Sequence, residues 1–340
     1  MRVLGRIPAA CHNVARMRRL TGITLTPRAY FWVAVSALVV CTLIVFTGAA
    51  VRLTGSGLGC PDWPRCQGTS FTPQLSPHSA IEFGNRMLTG VVGIPCIAAA
   101  LLAWRRRPFR RDLALLAALL PLGVLAQAVL GGMTVWYGLK PGWVIGHFLL
   151  SMLLLVACVA LVWRAGHEPG TEARSRDRLS LWAVRVLVLL GFVTLAAGTI
   201  ASAAGPHAGG EGTGDIVPRL EWKGAETLDW AIHQHGILAT VLGLAAVGCW
   251  FLLRARRVNA MTQNALTAVC VLLACQGLVG AAQYSMELPP GMVWIHVVLA
   301  ALTWLALLWT WMAVGRADPT LPEPVGSARL SDAEPPLVRS

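Results

Sequence analysis

Charge is scarce in this sequence. Asp, Glu, Lys and Arg make up 13% of its 340 residues, and only 16 of them are acidic. With 56% of residues drawn from the apolar set AVILMFWYC, the chain is too greasy for an ordinary soluble domain. The same balance excludes a coiled coil or a chain disordered throughout. Several signatures are missing as well. No HExxH and no Cys/His cluster with zinc-ligand spacing occurs, no Gly-rich flavin or nicotinamide fingerprint is present, and no Asp-rich diphosphate motif supports prenyl transfer. Most of the nine cysteines stand alone inside apolar runs, where a thiol acts as a small core hydrophobe. Only Cys60 and Cys66 share a polar segment.

What the sequence does contain is a series of apolar stretches about 20 residues long, at 31–51, 81–103, 112–134, 143–163, 181–204, 228–253, 263–284 and 291–314. Each is long enough to cross a bilayer as a helix, and a β-barrel is excluded. The first begins near Tyr30 and is too long for a cleaved signal, so it reads as helix 1. Lys and Arg are distributed unevenly between the loops. With the N-terminus in the cytoplasm, 21 lie in inner segments and 5 in outer ones, so both termini are expected to be cytoplasmic. This asymmetry explains the formal charge of +12 better than nucleic-acid binding does. Tryptophans 104, 136, 143, 163, 182, 230 and 250 fall at span ends, as an interfacial aromatic belt requires.

The spans form a repeat. Gln127 and His147 lie twenty residues apart, as do Gln276 and His296, at an offset of 149. Gly48 matches Gly198, and the GVVG ending at Gly93 matches the TVLG ending at Gly243, both at 150. The expected fold is therefore an all-α integral membrane protein of eight helices in two repeated four-helix bundles, 31–164 and 181–315. A cytoplasmic tail (1–30), a cytoplasmic linker (165–180) and a disordered cytoplasmic tail (316–340) complete the chain, and the halves are related by an axis along the membrane normal.

Ionisable groups inside spans are costly and need a reason. His147, His235 and His296 all lie near the outer ends of even-numbered spans, and the repeat mate of His235 is Asn85. Imidazoles from two helices of one bundle can provide the axial ligands of a haem that fills the apolar space between them, and His235 with His296 would serve. Taken singly, each histidine also reads as an interfacial residue bonded to a carbonyl or water. In the first half His147 faces Asn85, a poor iron ligand, so a haem there could be held through His147 alone. Glu82 lies a turn from Asn85, where it could relay protons, and Arg86 is adjacent. From charge spacing alone, Glu82 and Arg86 read first as a helix-end ion pair. The outer segment GCPDWPRCQG could close a Cys60–Cys66 disulfide, either stiffening the loop or acting as a redox switch. His78 and His233 are candidate substitute ligands. His207 reads as a surface group, and His12 and His167 as uninformative cytoplasmic residues.

These residues resemble the haem A synthase family over about residues 45–314. The resemblance rests, in order, on TGAAVRLTGSGLGCPDWPRCQG, IEFGNR, GGMTV with IGHFLLSM, HQHGIL and VWIHVVLA. It implies two four-helix bundles in a bacterial cell membrane, with haem b held in the C-terminal half by His235 and His296. The substrate, haem O, would sit in the N-terminal half on His147, near Asn85 and Arg86. Its C8 methyl group would be oxidised through an alcohol to the formyl group of haem A, with Glu82 as the required carboxylate. Cys60 and Cys66 would be the cysteine pair found in many members. The sequence departs from the family at Asn85, where a histidine is usual. A separate electron donor is needed, and haem O synthase, cytochrome oxidase assembly factors and a second copy of the chain are candidate partners. The rival readings are a haem b electron-transfer subunit without bond chemistry, and a transporter or haem chaperone.

Overall fold

The computed structural model describes residues 24–316 apart from 75, 171–174 and 176. The C-terminal tail beyond Arg316 and nearly all of the N-terminal tail lie outside the described residues, and with them all but the first residue of the segment expected to be disordered, 316–340. Eight helices carry the fold: α1 Pro27–Leu53, α2 Pro77–Ala103, α3 Arg111–Trp136, α4 Pro141–Gly166, α5 Arg178–Ala204, α6 Thr227–Ala255, α7 Ala260–Ser285 and α8 Pro290–Val314. All eight are long and apolar enough to cross a membrane. No named strand occurs among the described residues. The protein is a multi-pass helical membrane protein.

Several helices begin before the apolar run that announces them. Proline occupies the first turn of α1, α2, α4 and α8, where its missing N–H costs nothing. Thr26 caps α1 by accepting from the Ala29 N–H at 3.2 Å. Ser76 and Ser79 close a capping box on α2, which is why that helix starts at Pro77 and not near Ile81. Leu101, Leu125, Leu244 and Leu278 point outward, each more than 60% exposed. Such side chains belong against lipid tails. Inside, Ala34, Ala37, Ala99, Ala103 and Ala117 are fully buried, and small residues let helix backbones approach closely.

Helix contacts follow the repeat. Helix α1 packs on α2 and α4, α2 on α3, and α3 on α4. In the second half, α5 packs on α6 and α8, α6 on α7, and α7 on α8. Between the halves, α4 meets its repeat mate α8, and α1 against α8 has its counterpart in α5 against α4. This is the pattern a two-fold axis running along the helices produces. Trp304 crosses that seam and donates to the Met152 carbonyl at 3.0 Å, as Trp294 does to the Phe46 carbonyl at 2.9 Å.

The two long loops, 54–76 and 205–226, share one end of the molecule, here the loop-rich face. Backbone bonds stitch them together: the Gly57 N–H donates to the Gly209 carbonyl at 2.8 Å, and the Gly212 N–H to the Gly55 carbonyl at 3.1 Å. Gly55 has φ +65°, and a Cβ on it would lie 2.3 Å from the Gly212 nitrogen. Only glycine fits there. Arg52 ties the halves together by donating to the Ser202 and His207 carbonyls at 2.9 and 3.0 Å. The opposite, arginine-rich face holds ion pairs of Arg106 with Glu168, Arg110 with Asp112 and Arg256 with Asp177.

Candidate functional site

His235 on α6 and His296 on α8 face each other across the second bundle, with ring centroids 6.2 Å apart and planes at 74°. Two imidazoles sharing one metal ion, each at a metal–nitrogen distance of about 2 Å, have centroids about 6 Å apart. Both residues are half-buried. In each ring Nδ1 is buried with no hydrogen-bond partner, an arrangement that costs roughly 1–3 kcal/mol if it stays unmet. The spacing of the two rings and their unmet nitrogens therefore suit imidazoles that share one metal ion, such as the iron of a haem. Among the described residues no three His, Cys, Asp or Glu side chains converge as a metal cluster, so what the second bundle offers is a pair.

Glycine shapes the seat of each ring. A Cβ on Gly198 of α5 would lie 3.0 Å from Cε1 of His235, and one on Gly280 of α7 would lie 3.4 Å from Cε1 of His296. Sequence reasoning missed these seats, although Gly198 was already visible as a repeat position. The Gly280 signal was available too, because Gly131 and Gly280 follow Gln127 and Gln276 by the same four residues.

The first bundle reproduces half of this arrangement. His147 on α4 is half-buried, its Nδ1 is unpartnered, and a Cβ on Gly131 would lie 3.3 Å from its Cε1. Gln127 donates to the His147 carbonyl at 3.1 Å and to the Ser151 hydroxyl at 2.7 Å, fixing α3 against α4 beside the histidine. Asn85 differs from its repeat mate His235. Its Oδ1 accepts from the Thr47 hydroxyl of α1 at 2.8 Å, and Gly48, where a ring would rest, has nothing within 4 Å of a built Cβ.

Glu82 and Arg86 form the helix-end ion pair that their spacing suggests, and they do more than pair. Glu82 is 5% exposed and the only buried carboxylate among the described residues. Its Oε2 accepts from the Cys60 N–H at 2.7 Å. Arg86 donates to the Cys60 and Asp62 carbonyls, both at 2.7 Å, to the Arg65 carbonyl at 3.1 Å, and from Nε and Nη2 to Glu82. All five guanidinium N–H groups are thereby committed to the loop and to Glu82. The structure turns Arg86 toward the loop, not toward His147. Cys60 and Cys66 are joined as a disulfide, with Cα atoms 4.4 Å apart. Between them Trp63 reaches α3, where a Cβ on Gly132 would strike its ring at 2.6 Å, and it meets Trp136 edge-on at 5.5 Å. The clamped loop thus lies over the end of the first bundle, one residue from the Gly131 seat.

The other outer histidines are engaged elsewhere. His78 bonds the Ser56 hydroxyl through Nδ1 at 2.9 Å and crowds Gly212. His207 bonds the Leu288 carbonyl at 2.7 Å, and His233 is exposed.

Fold and site together define an eight-span membrane protein built as a repeat, with intramembrane histidines suited to an iron porphyrin. The sequence model of the COX15-CtaA family, described as cytochrome oxidase assembly protein, matches residues 30–80 and 74–308. The chain belongs to that family. Curated relatives named heme A synthase include one from Lysinibacillus sphaericus (strain C3-41), 36% identical over 131 residues covering 38% of this chain and 43% of the relative. Another, from Bacillus pumilus (strain SAFR-032), is 35% identical over 154 residues, 45% of this chain and 50% of the relative. A third, from Bacillus cereus (strain AH187), is 31% identical over 131 residues, 38% of this chain and 42% of the relative. The chain spans about half the length or less of the curated relatives it matches.

Proposed function

We propose that this protein oxidises the C8 methyl group of haem O to the formyl group of haem A, a reading in keeping with the name of its relatives, heme A synthase. The observation that carries the reading is the His235–His296 pair at 6.2 Å, repeated in part at His147 with its own glycine seat. His235 and His296 would hold a haem b that, when bound, would supply electrons for the reduction of dioxygen, the oxidant that the conversion of methyl to formyl needs. His147 would hold haem O in the first bundle. Glu82, the one buried carboxylate near that site among the described residues, is the group able to hold a proton there, while Arg86 secures the loop that keeps water out. A separate reductant would feed the second half, because no flavin or nicotinamide fingerprint is present in the sequence. The excess of Lys and Arg on one face supports a topology with both termini in the cytoplasm and the loop-rich face outside a bacterial cell membrane. A haem O synthase would deliver the substrate and cytochrome oxidase assembly factors would take the product. The lipid-facing surfaces leave room for a homo-oligomer.

The test is pigment extraction from protein purified after expression with a haem O supply and a working reductant. Haem A alongside haem b is the expected result. Haem b alone would favour an electron-transfer subunit. Glu82→Gln should retain haem b and stop formyl production, and unimpaired production would remove its catalytic role.

A further inference from the structure

We propose that the first bundle grips its haem through His147 alone, and that Asn85 keeps the opposite axial side of that haem free of any protein ligand. The proposal rests on the haem reading above and concerns what this chain does differently from its own repeat. Offset by 149, Gly131 and His147 reproduce Gly280 and His296, with built Cβ-to-Cε1 distances of 3.3 and 3.4 Å. Offset by 150, Gly48 and position 85 stand where Gly198 and His235 stand. Position 85 therefore faces His147 as His235 faces His296.

Asparagine cannot do the same work there. Its amide nitrogen is a donor without a free lone pair, and its oxygen is a hard ligand ill matched to haem iron. It is also held back, since the Thr47 hydroxyl bonds Asn85 Oδ1 at 2.8 Å and ties the amide to α1. Among the described residues no other imidazole takes its place: His78 and His207 are bonded to Ser56 and Leu288, and His233 is exposed on the other half. Met87, two residues along α2, is 42% exposed and points away. The seat for a ring survives, because nothing lies within 4 Å of a Cβ on Gly48. One protein ligand gives a site that can release its porphyrin, while two give a site that retains it.

The experiment uses the full chain, purified anaerobically in detergent from cells producing haem O, with carbon monoxide as the probe. In the wild type, haem O should be high-spin by electron paramagnetic resonance when oxidised and should bind carbon monoxide when reduced, while haem b stays low-spin and unreactive. Asn85→His should turn the haem O signal low-spin, with loss of most of its carbon monoxide-reactive fraction. Asn85→Leu should leave both unchanged. Adding Gly48→Leu to Asn85→His should fill the ring's seat and restore the high-spin signal. Haem O retained only by Asn85→His would also support a one-ligand grip. Low-spin, unreactive haem O in the wild type would overturn the proposal with the haem reading intact, and so would an Asn85→His protein that keeps the wild-type spectrum. Absence of haem O from every variant, alongside normal haem b, would overturn both.

Discussion

The two bundles are copies that differ where it matters most. Each has four helices, a histidine on its fourth helix, and a glycine on its third helix that seats the ring. The second adds His235 on Gly198, bringing two imidazoles to 6.2 Å. The first has Asn85 over an empty Gly48, but it also has a disulfide-closed loop clamped by Glu82 and Arg86. The repeat mates of those two residues are Ile232 and Gly236, so the second bundle lacks the clamp. On the proposed reading, a duplicated scaffold has gained a ligand in one half and a lid in the other. This divides a permanent cofactor from a substrate that must come and go.

The largest expected effect breaks the comparison outright. His296→Ala should abolish the b-type absorption spectrum of the purified protein, whereas His147→Ala should leave it intact. Equal loss from both variants would mean that the halves share one haem. Next in size is the glycine pair. Gly198→Val pushes against His235, whose Cε1 already lies 3.0 Å from a built Cβ, and should weaken haem b retention about 10-fold or more. Gly48→Val meets open space and should leave haem b retention unchanged. Titrating haem into stripped protein compares the two directly.

The lid gives the third prediction. Cys60→Ser opens a loop closed over six residues of sequence separation, which chain entropy values at about 2 kcal/mol. Arg86 still holds the Cys60, Asp62 and Arg65 carbonyls, so the expected result is local. Loop 54–76 should become open to protease while loop 205–226 keeps its wild-type cleavage rate and haem b stays bound. Loss of haem b would show that the lid supports both halves.

Much of this asymmetry was legible in the sequence, because a bilayer forces it into view. Eight apolar runs, an uneven distribution of arginine and a 149–150-residue offset are consequences of burying helices in lipid, and they mark the fold and the equivalence of Asn85 with His235. What the sequence hid are contacts made by residues with no periodic signal. Arg86 reads as a neighbour of Asn85, yet on a helix adjacent residues point about 100° apart, and its guanidinium serves the loop. Trp63 reads as one aromatic in an outer segment, and only its fit against Gly132 makes it part of the lid. Helix starts were also masked, since capping by Ser76 and Ser79 lengthens α2 through polar residues that hydropathy ignores.

The smallest predicted effect lies at the arginine-rich face, where the first helix of each half is capped differently. Thr26 caps α1 with a neutral hydroxyl. Asp177 caps α5 with a carboxylate that accepts from the Ser180 N–H at 3.3 Å, from the Ser180 hydroxyl at 2.6 Å and from Arg256 Nε at 2.5 Å. Partial burial works against the charge of Asp177, but these bonds outweigh it and hold the carboxyl below the usual range. A depressed folded-state value means that the cap is fully formed above the ordinary carboxylate range and is lost as pH falls through the depressed value. Asp177→Ala should therefore cost about 1 kcal/mol at neutral pH, and the gap between variant and wild type should close on acidification. Thr26→Ala should cost a similar amount with no closing of the gap over the same range. Denaturation midpoints of both variants across acidic pH would separate the two caps, and a pH-independent penalty for Asp177→Ala would show that its charge contributes nothing.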